Sequence, residues 1–286
     1  MIEVDVRRQH QAFPTQHPVL QPLLAHPVPA VMGILNVTPD SFSDGGKFLD
    51  PDLALAQARR MIAEGADILD IGAESTRPYG SAMPVSADDE MERLRPILAQ
   101  VVALGIPVSI DTMKAKVAAW ALDQGAVIAN DVWGLQRDPE MASVVAAHGA
   151  PVIVMHNRDS ADPAVDIMAD LAVFFSRSLD IAAKAGIPAS HIVLDPGIGF
   201  GKTPEQSMTA LARLDDLRQF GCPILVGASR KRFIASVTPS EPQQRLGGSL
   251  AAHLIAANSG ARIIRAHDVA ETVQALRVNA AIEDKR

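Results

Sequence analysis

The sequence has 286 residues, 48% of them hydrophobic and 21% charged, with a formal net charge of −7. Such a composition fills one large globular domain and excludes a disordered chain, while the negative charge excludes a protein that grips nucleic acid through a basic surface. No apolar run reaches the roughly 20 residues that cross a bilayer, and the apolar set is mostly Ala, Val, Ile and Leu, which favours α/β over a β-sandwich.

Residues 1–28 carry scattered Pro, His and Gln with no central apolar block, so they read as neither a secretory signal nor a transit peptide. They are expected to form a flexible or loosely packed N-terminal extension ahead of a domain over residues 29–286. The first β-run covers 30–36 and leads into a loop at 37–47, rich in Gly, Pro, Ser and Thr. Apolar spacing near three to four predicts a helix over 52–64. Gly65 then stops the helix, because glycine takes the left-handed conformation without a Cβ clash, and a strand follows at 68–71. A second long loop covers 73–86.

The same phrase of helix, glycine and β-branched run recurs to the end of the chain. A helix at 88–104 and Gly105 precede a strand at 107–111; a helix at 114–124 and Gly125 precede 127–130; a helix at 138–148 and Gly149 precede 152–156. A helix at 167–185 and Gly186 precede 191–195, a helix at 205–219 and Gly221 precede 224–226, and a helix at 246–259 and Gly260 precede 262–267. A final helix is expected over 269–281. Eight alternating units predict a single-domain α/β fold, the (β/α)8 TIM barrel. The open doubly wound alternative lacks its glycine fingerprint after the first strand. The single cysteine, Cys222, lies in an apolar run and reads as a buried bystander; no internal disulfide is possible, and a reducing, cytoplasmic location is expected.

In a barrel of this kind the active site forms at the C-terminal ends of the strands. Those ends carry Asn36, Asp111, Asn130, Asp131, His156, Asp195, Ser229, Lys231, Arg265 and His267. Together these groups can hydrogen-bond a flat polar heterocycle and hold an anion. Each also has a plainer reading: Asp and Asn after a strand often cap the next helix, His156 can be a satisfied structural histidine, and Arg or Lys in loops is commonly solvated. Six or seven at one end exceed what capping requires. Neither a G-x-S-x-G elbow nor an H-E-x-x-H helix is present. Asp111 and Asp195 could form a glycosidase-like acid/base pair, although aromatic platforms for sugars are scarce, with Trp120, Trp133 and Tyr79 the only ones besides Phe.

The segments 33–46 (GILNVTPDSFSDGG) and 70–78 (DIGAESTRP) resemble the two signatures of the dihydropteroate synthases. Supporting matches are Ser109-Ile110-Asp111-Thr112, Asn130-Asp131, Met155-His156, the run 194–202, Gly227-Ala228-Ser229-Arg230-Lys231 and the run 265–269, so the resemblance covers about 30–281. It implies an alkyl/aryl transferase of folate biosynthesis and a sulfonamide target. The reaction implied joins 6-hydroxymethyl-7,8-dihydropterin diphosphate to 4-aminobenzoate and gives 7,8-dihydropteroate and pyrophosphate.

By the same resemblance, Asp111, Asn130, Asp195, Lys231 and Phe200 hold the pterin, and Asn36, Arg77, Arg265 and His267 hold the diphosphate. Phe42, Thr76, Pro78 and Ser229 meet 4-aminobenzoate, and Asp111, Lys231 and Arg77 carry the catalysis. Mg2+ is the implied cofactor, with Asn36 as its protein ligand, and a homodimer is expected, with neither nucleic acid nor membrane as a partner. Met113 stands where many members of the family have Ser. A methyltetrahydrofolate–corrinoid methyltransferase shares the barrel and the pterin grip but needs neither the Asn36 loop nor the Ser-Thr-Arg-Pro loop. A non-catalytic pterin-binding protein would not need Asn36, Arg77, Lys231, Arg265 and His267 together.

Overall fold

The computed structural model describes residues 17–37, 50–74 and 85–285. After the short helix α1 (Leu20–Ala25) come β1 (Ala30–Asn36), α2 (Pro51–Ala63), β2 (Ile68–Gly72), α3 (Ala87–Leu94), α4 (Leu98–Val102), β3 (Val108–Asp111), α5 (Ala115–Asp123) and β4 (Ile128–Asp131). The chain continues through α6 (Met141–His148), β5 (Val152–Met155), α7 (Ile167–Ala185), β6 (Ile192–Asp195), α8 (Pro204–Ala212), β7 (Leu225–Val226), α9 (Arg232–Val237), α10 (Leu246–Asn258), β8 (Ile263–Ala266) and α11 (Val269–Glu283). All eight predicted strands form, in parallel, with the order β6-β5-β4-β3-β2-β1-β8-β7. A single parallel bridge, Leu194 to Ile224, joins the two ends of that order and closes the barrel.

The strands are buried on both faces, so they read as continuous apolar runs rather than alternating ones. Their outward residues pack on the helices in one large core with Leu69, Ile71, Val101, Val145, Leu171 and Leu276. Inward residues near the N-terminal end form a second cluster of Met32, Ile68, Ile128, Ile153, Val193, Leu225 and Ile263. Leu20, Leu23 and Leu24 of α1 join that cluster and plug the barrel floor. Arg262 fixes the plug by donating from Nη2 to the carbonyls of Leu24 (2.6 Å) and His26. Within the extension expected over 1–28, residues from Leu20 onward are therefore packed on the barrel, because three leucines at helical spacing have an apolar floor to cover. Residues 1–16 lie outside the described residues.

Three other boundaries differ from the sequence reading. The helix expected over 88–104 is broken into α3 and α4 around Pro96, which has no N–H to donate to the preceding turn. The helix expected over 205–219 ends at Ala212 and continues as a 3-10 turn over Leu214–Phe220. Helix α9 was not anticipated; it opens directly after Lys231 and fixes that residue at its N-cap. Cys222 is buried as expected, and burial pushes its thiol up to about 11.

Candidate active site

The C-terminal barrel mouth gathers a compact polar cluster from four strands, β2, β3, β4 and β8. Arg265, on β8, donates from Nε to Asp70 Oδ2 (2.6 Å) and from Nη2 to Asp111 Oδ2 (2.8 Å). Asn130, on β4, donates from Nδ2 to the same Asp70 oxygen at 3.1 Å. The second oxygens of both carboxylates, Oδ1 of Asp70 and Oδ1 of Asp111, are buried with no hydrogen-bond partner among the described residues, as is Ser109 Oγ. Such acceptors carry a desolvation cost until an N–H donor reaches them. Burial, opposed by Arg265 and reinforced by Asp70, pushes Asp111 up to about 7. Arg265 keeps its charge against burial because Asp70 and Asp111 raise its pKa further.

Across the closing seam, Asp195 ends β6 and accepts the Gly197 N–H at 2.7 Å. Burial pushes its carboxyl up to about 6, against that hydrogen bond and the nearby Lys231 and Arg265. The following loop turns through left-handed glycines, Gly197 at φ 63° and Gly199 at φ 81°; at Gly197 a side chain would strike the His156 carbonyl. The turn presents Phe200, and Lys231 Nζ lies 3.9 Å from the centre of its ring. An apolar patch of Val132, Met155 and Phe200, with Met113 and Trp133 packed against it, completes this wall.

Beneath the same loop, Lys202 is fully buried. Its Nζ donates to His156 Nδ1 (2.6 Å), the Gly197 carbonyl (3.0 Å) and the Phe200 carbonyl (3.1 Å). Because Nδ1 of His156 accepts, its Nε2–H donates to Asp170 Oδ2 at 3.0 Å. Burial, with Lys202 and Arg158 adding to it, lowers His156 to about 2, and burial lowers Lys202 to about 7. His156 therefore serves structure here: it stands behind the loop that carries Phe200.

On the opposite side, Ser229 Oγ accepts the His267 N–H (3.2 Å) and lies 3.0 Å from His267 Nδ1. Donation to Nδ1 leaves a proton on Nε2 of a neutral imidazole, consistent with a pKa lowered to about 3 by burial and by Arg265, Arg230 and Lys231. Arg230 sits in the left-handed region at φ 56° and is locked by Asp268 through Nε (3.0 Å) and Nη2 (2.5 Å). This lock sets where Ser229 and Lys231 emerge. Asn36, at the end of β1, is half-buried and its carboxamide makes no hydrogen bond among the described residues.

Of the residues expected at the site, Asp111, Asn130, Asp195, Phe200, Lys231, Ser229, Arg265, His267 and Asn36 all stand at this mouth. Phe42, Thr76, Arg77 and Pro78 lie outside the described residues. Asp70 and Lys202 were missed as functional groups, although both fall inside quoted motifs. Asp70 carried a usable signal: a carboxylate amid Ile68, Leu69 and Ile71 must be buried, and a buried carboxylate needs a partner.

The family model for pterin binding enzymes matches residues 32–267. The dihydropteroate synthase of Bacillus subtilis is 42% identical over 280 residues, covering 94% of this chain and 97% of its own length. A probable bifunctional folylpolyglutamate synthase/dihydropteroate synthase of Haloferax volcanii is 47% identical over 261 residues, covering 89% of this chain, and this chain spans 31% of that longer protein. A crystal structure of the Clostridium difficile dihydropteroate synthase with pteroic acid superposes with a TM-score of 0.85 at 46% identity, covering 89% of this chain and 97% of that one. Identity at this level over nearly the whole barrel, with the polar cluster in the family's motifs, settles the assignment: the chain belongs to the pterin binding enzymes and, among them, to the dihydropteroate synthases.

Proposed function

We propose that the mouth built by Asp111, Asn130, Asp195, Lys231 and Arg265 joins 6-hydroxymethyl-7,8-dihydropterin diphosphate to 4-aminobenzoate, releasing pyrophosphate. The observation that carries the reading is the set of buried carboxylate oxygens with no partner among the described residues, on Asp70 and Asp111, beside Asp195. A pterin edge is rich in N–H donors and matches such acceptors, while Asn130 and Lys231 can serve its ring acceptors. Phe200 and the apolar patch around it would cover the ring face.

As the C–O bond stretches, positive charge grows on the methylene carbon and negative charge on the diphosphate. Asp111 faces the first, and it is a carboxylate whose high pKa falls once a cation approaches. His267 Nε2–H, Nη1 of Arg265 and the carboxamide of Asn36 would meet the second, with Arg77 joining them. The aryl amine of 4-aminobenzoate would enter beside Phe42, Thr76 and Pro78, with its carboxylate toward Ser229. Sulfonamides would occupy the same place.

The donor set suits Mg2+ only in part. Asn36 offers one amide oxygen that is free among the described residues, and no group of three or more His, Cys, Asp or Glu that could hold a metal exists among them. This fits a cation held chiefly by substrate phosphates and water, which would neutralise the leaving group when bound. A homodimer through α10 and α11 is supported by Ile255, Val278 and Ile282, all more than half exposed there. The lone buried cysteine suits the cytoplasm.

Pyrophosphate release is the deciding assay, run with the dihydropterin diphosphate and Mg2+ and with or without 4-aminobenzoate. Release should depend on the aryl amine and be matched mole for mole by dihydropteroate. Release at the same rate without it would overturn the transferase reading.

A further inference from the structure

At the rim of the barrel mouth, the loops after β4 and β5 and the middle of α7 line an open cavity of about 630 Å³, with Arg137, Arg158 and Arg177 around it together with Asp159, Asn157, Ser160 and Trp133. Three guanidinium groups around one cavity stand out in a chain whose net charge is −7. We propose that this cavity is a second binding site, for a polyvalent oxyanion of the phosphate or carboxylate class, separate from the diphosphate subsite of the mouth.

The three arginines are poorly matched by the protein itself. Arg137 is stacked over Trp133, 4.4 Å from the ring centre, which fixes its plane. Its one carboxylate partner among the described residues, Asp159 at 3.0 Å, forms an exposed pair that an incoming anion displaces at little cost. Arg158 reaches Asp170 only at 3.6 Å, and its Nη1 is buried with no partner among the described residues. Arg177 is exposed and makes no ion pair or hydrogen bond among the described residues. Asn157 is 8% exposed; its Oδ1 accepts the Arg158 N–H at 2.8 Å, and its Nδ2 has no partner among the described residues. The lining thus sets three guanidinium groups against one carboxylate, Asp159, and a multiply charged oxyanion satisfies several of their N–H donors at once.

The cavity also borders the pterin wall. Trp133 packs on the patch that contains Phe200, and the Arg158 backbone presses on Gly201 in the Phe200 loop, leaving no room for a Cβ there. Trp133 is therefore a reporter lodged in the cavity itself.

The sequence holds two tryptophans, so Trp120→Phe leaves Trp133 as the only one. Its fluorescence is titrated, at constant ionic strength in chloride, with inorganic phosphate in one arm and a triglutamate peptide in the other. A saturable change is expected in at least one arm, and the arm that responds identifies the source of the oxyanion. In Arg137→Gln/Arg177→Gln the affinity should fall at least about ten-fold, since two charge-assisted contacts are gone. Ser160→Asp, which adds a negative charge to the lining, should weaken it as well. No saturable change in either arm, or one that persists unaltered in both variants, overturns the proposal; the second result would mean that Trp133 senses an anion at the mouth.

Discussion

The Nε of Arg265 lies 2.6 Å from Oδ2 of Asp70, inside the barrel, where the carboxylate is fully buried. With Asp111 held at 2.8 Å by the same guanidinium, Arg265 is a structural strut as well as a proposed anion ligand. Arg265→Ala should therefore cost about 3–5 kcal/mol of stability, the usual result of stripping one partner from a buried ion pair. Urea unfolding reads this directly. Arg265→Lys should recover only part, because a single ammonium does not span two carboxylates as a planar fork does. A variant as stable as the parent would mean that Asp70 and Asp111 find other partners.

Ser229 and His267 separate two assignments of one hydroxyl. Since Ser229 Oγ is engaged with the main chain and ring of His267, Ser229→Ala should loosen the imidazole and weaken pyrophosphate about ten-fold, for a lost hydrogen bond near a charged ligand. The KM for 4-aminobenzoate should rise as well, because the same hydroxyl is proposed to meet its carboxylate. A raised KM with pyrophosphate unaffected would mean that Ser229 serves the aryl carboxylate alone, and weakened pyrophosphate with KM unchanged that it serves only His267.

Pterin affinity should depend on pH through Asp195, which burial has pushed up to about 6. A ligand that donates N–H to the ionised carboxylate lowers that pKa, so affinity is full above the free-protein value and is lost as pH falls through it, by up to about ten-fold per unit. Asp111, pushed to about 7, makes the decline begin earlier. Calorimetry with a pterin lacking the diphosphate should show this fall. Asp195→Asn should bind more weakly at pH 8 and lose much of the slope below pH 6.

The floor plug gives a prediction remote from the chemistry. Leu20 is buried against the inward residues of the strands, so Leu20→Ala should cost about 2–5 kcal/mol. Loss of residues 1–28 should cost more, while kcat below the melting range stays close to that of the full chain. Unchanged thermal midpoints in both would show that α1 does not seal the barrel in solution.

The strands and the mouth residues were legible because their signals are local: a β-branched run after a helix-ending glycine, and a polar residue where the run stops. Asp111, Asn130 and Asp195 all obey that rule. Asp70 does not, since it lies within its strand and shows its role only when Arg265, 195 residues later, comes to meet it. Lys202 was hidden in the same way, because a lysine after a glycine-rich loop reads as solvated until His156 and two carbonyls enclose it. The leucines of α1 have the spacing of a helix, but six residues are too few to stand out until the floor they cover is known.

The seam between β6 and β7 has a further consequence. β7 contributes two residues, and one bridge together with the Leu194 N–H to Pro223 carbonyl bond (2.9 Å) joins it to β6. The end of β6 and its loop carry Asp195 and Phe200 on one side, and the loop leaving β7 carries Ser229 and Lys231 on the other. A pterin held by both sides would supply the missing rungs, so the ligand becomes part of the wall. Amide hydrogens along the seam should exchange fastest among the strands of the empty barrel, and a bound pterin should slow them far more than it slows the amides of β2 and β3, where the ladder is already whole.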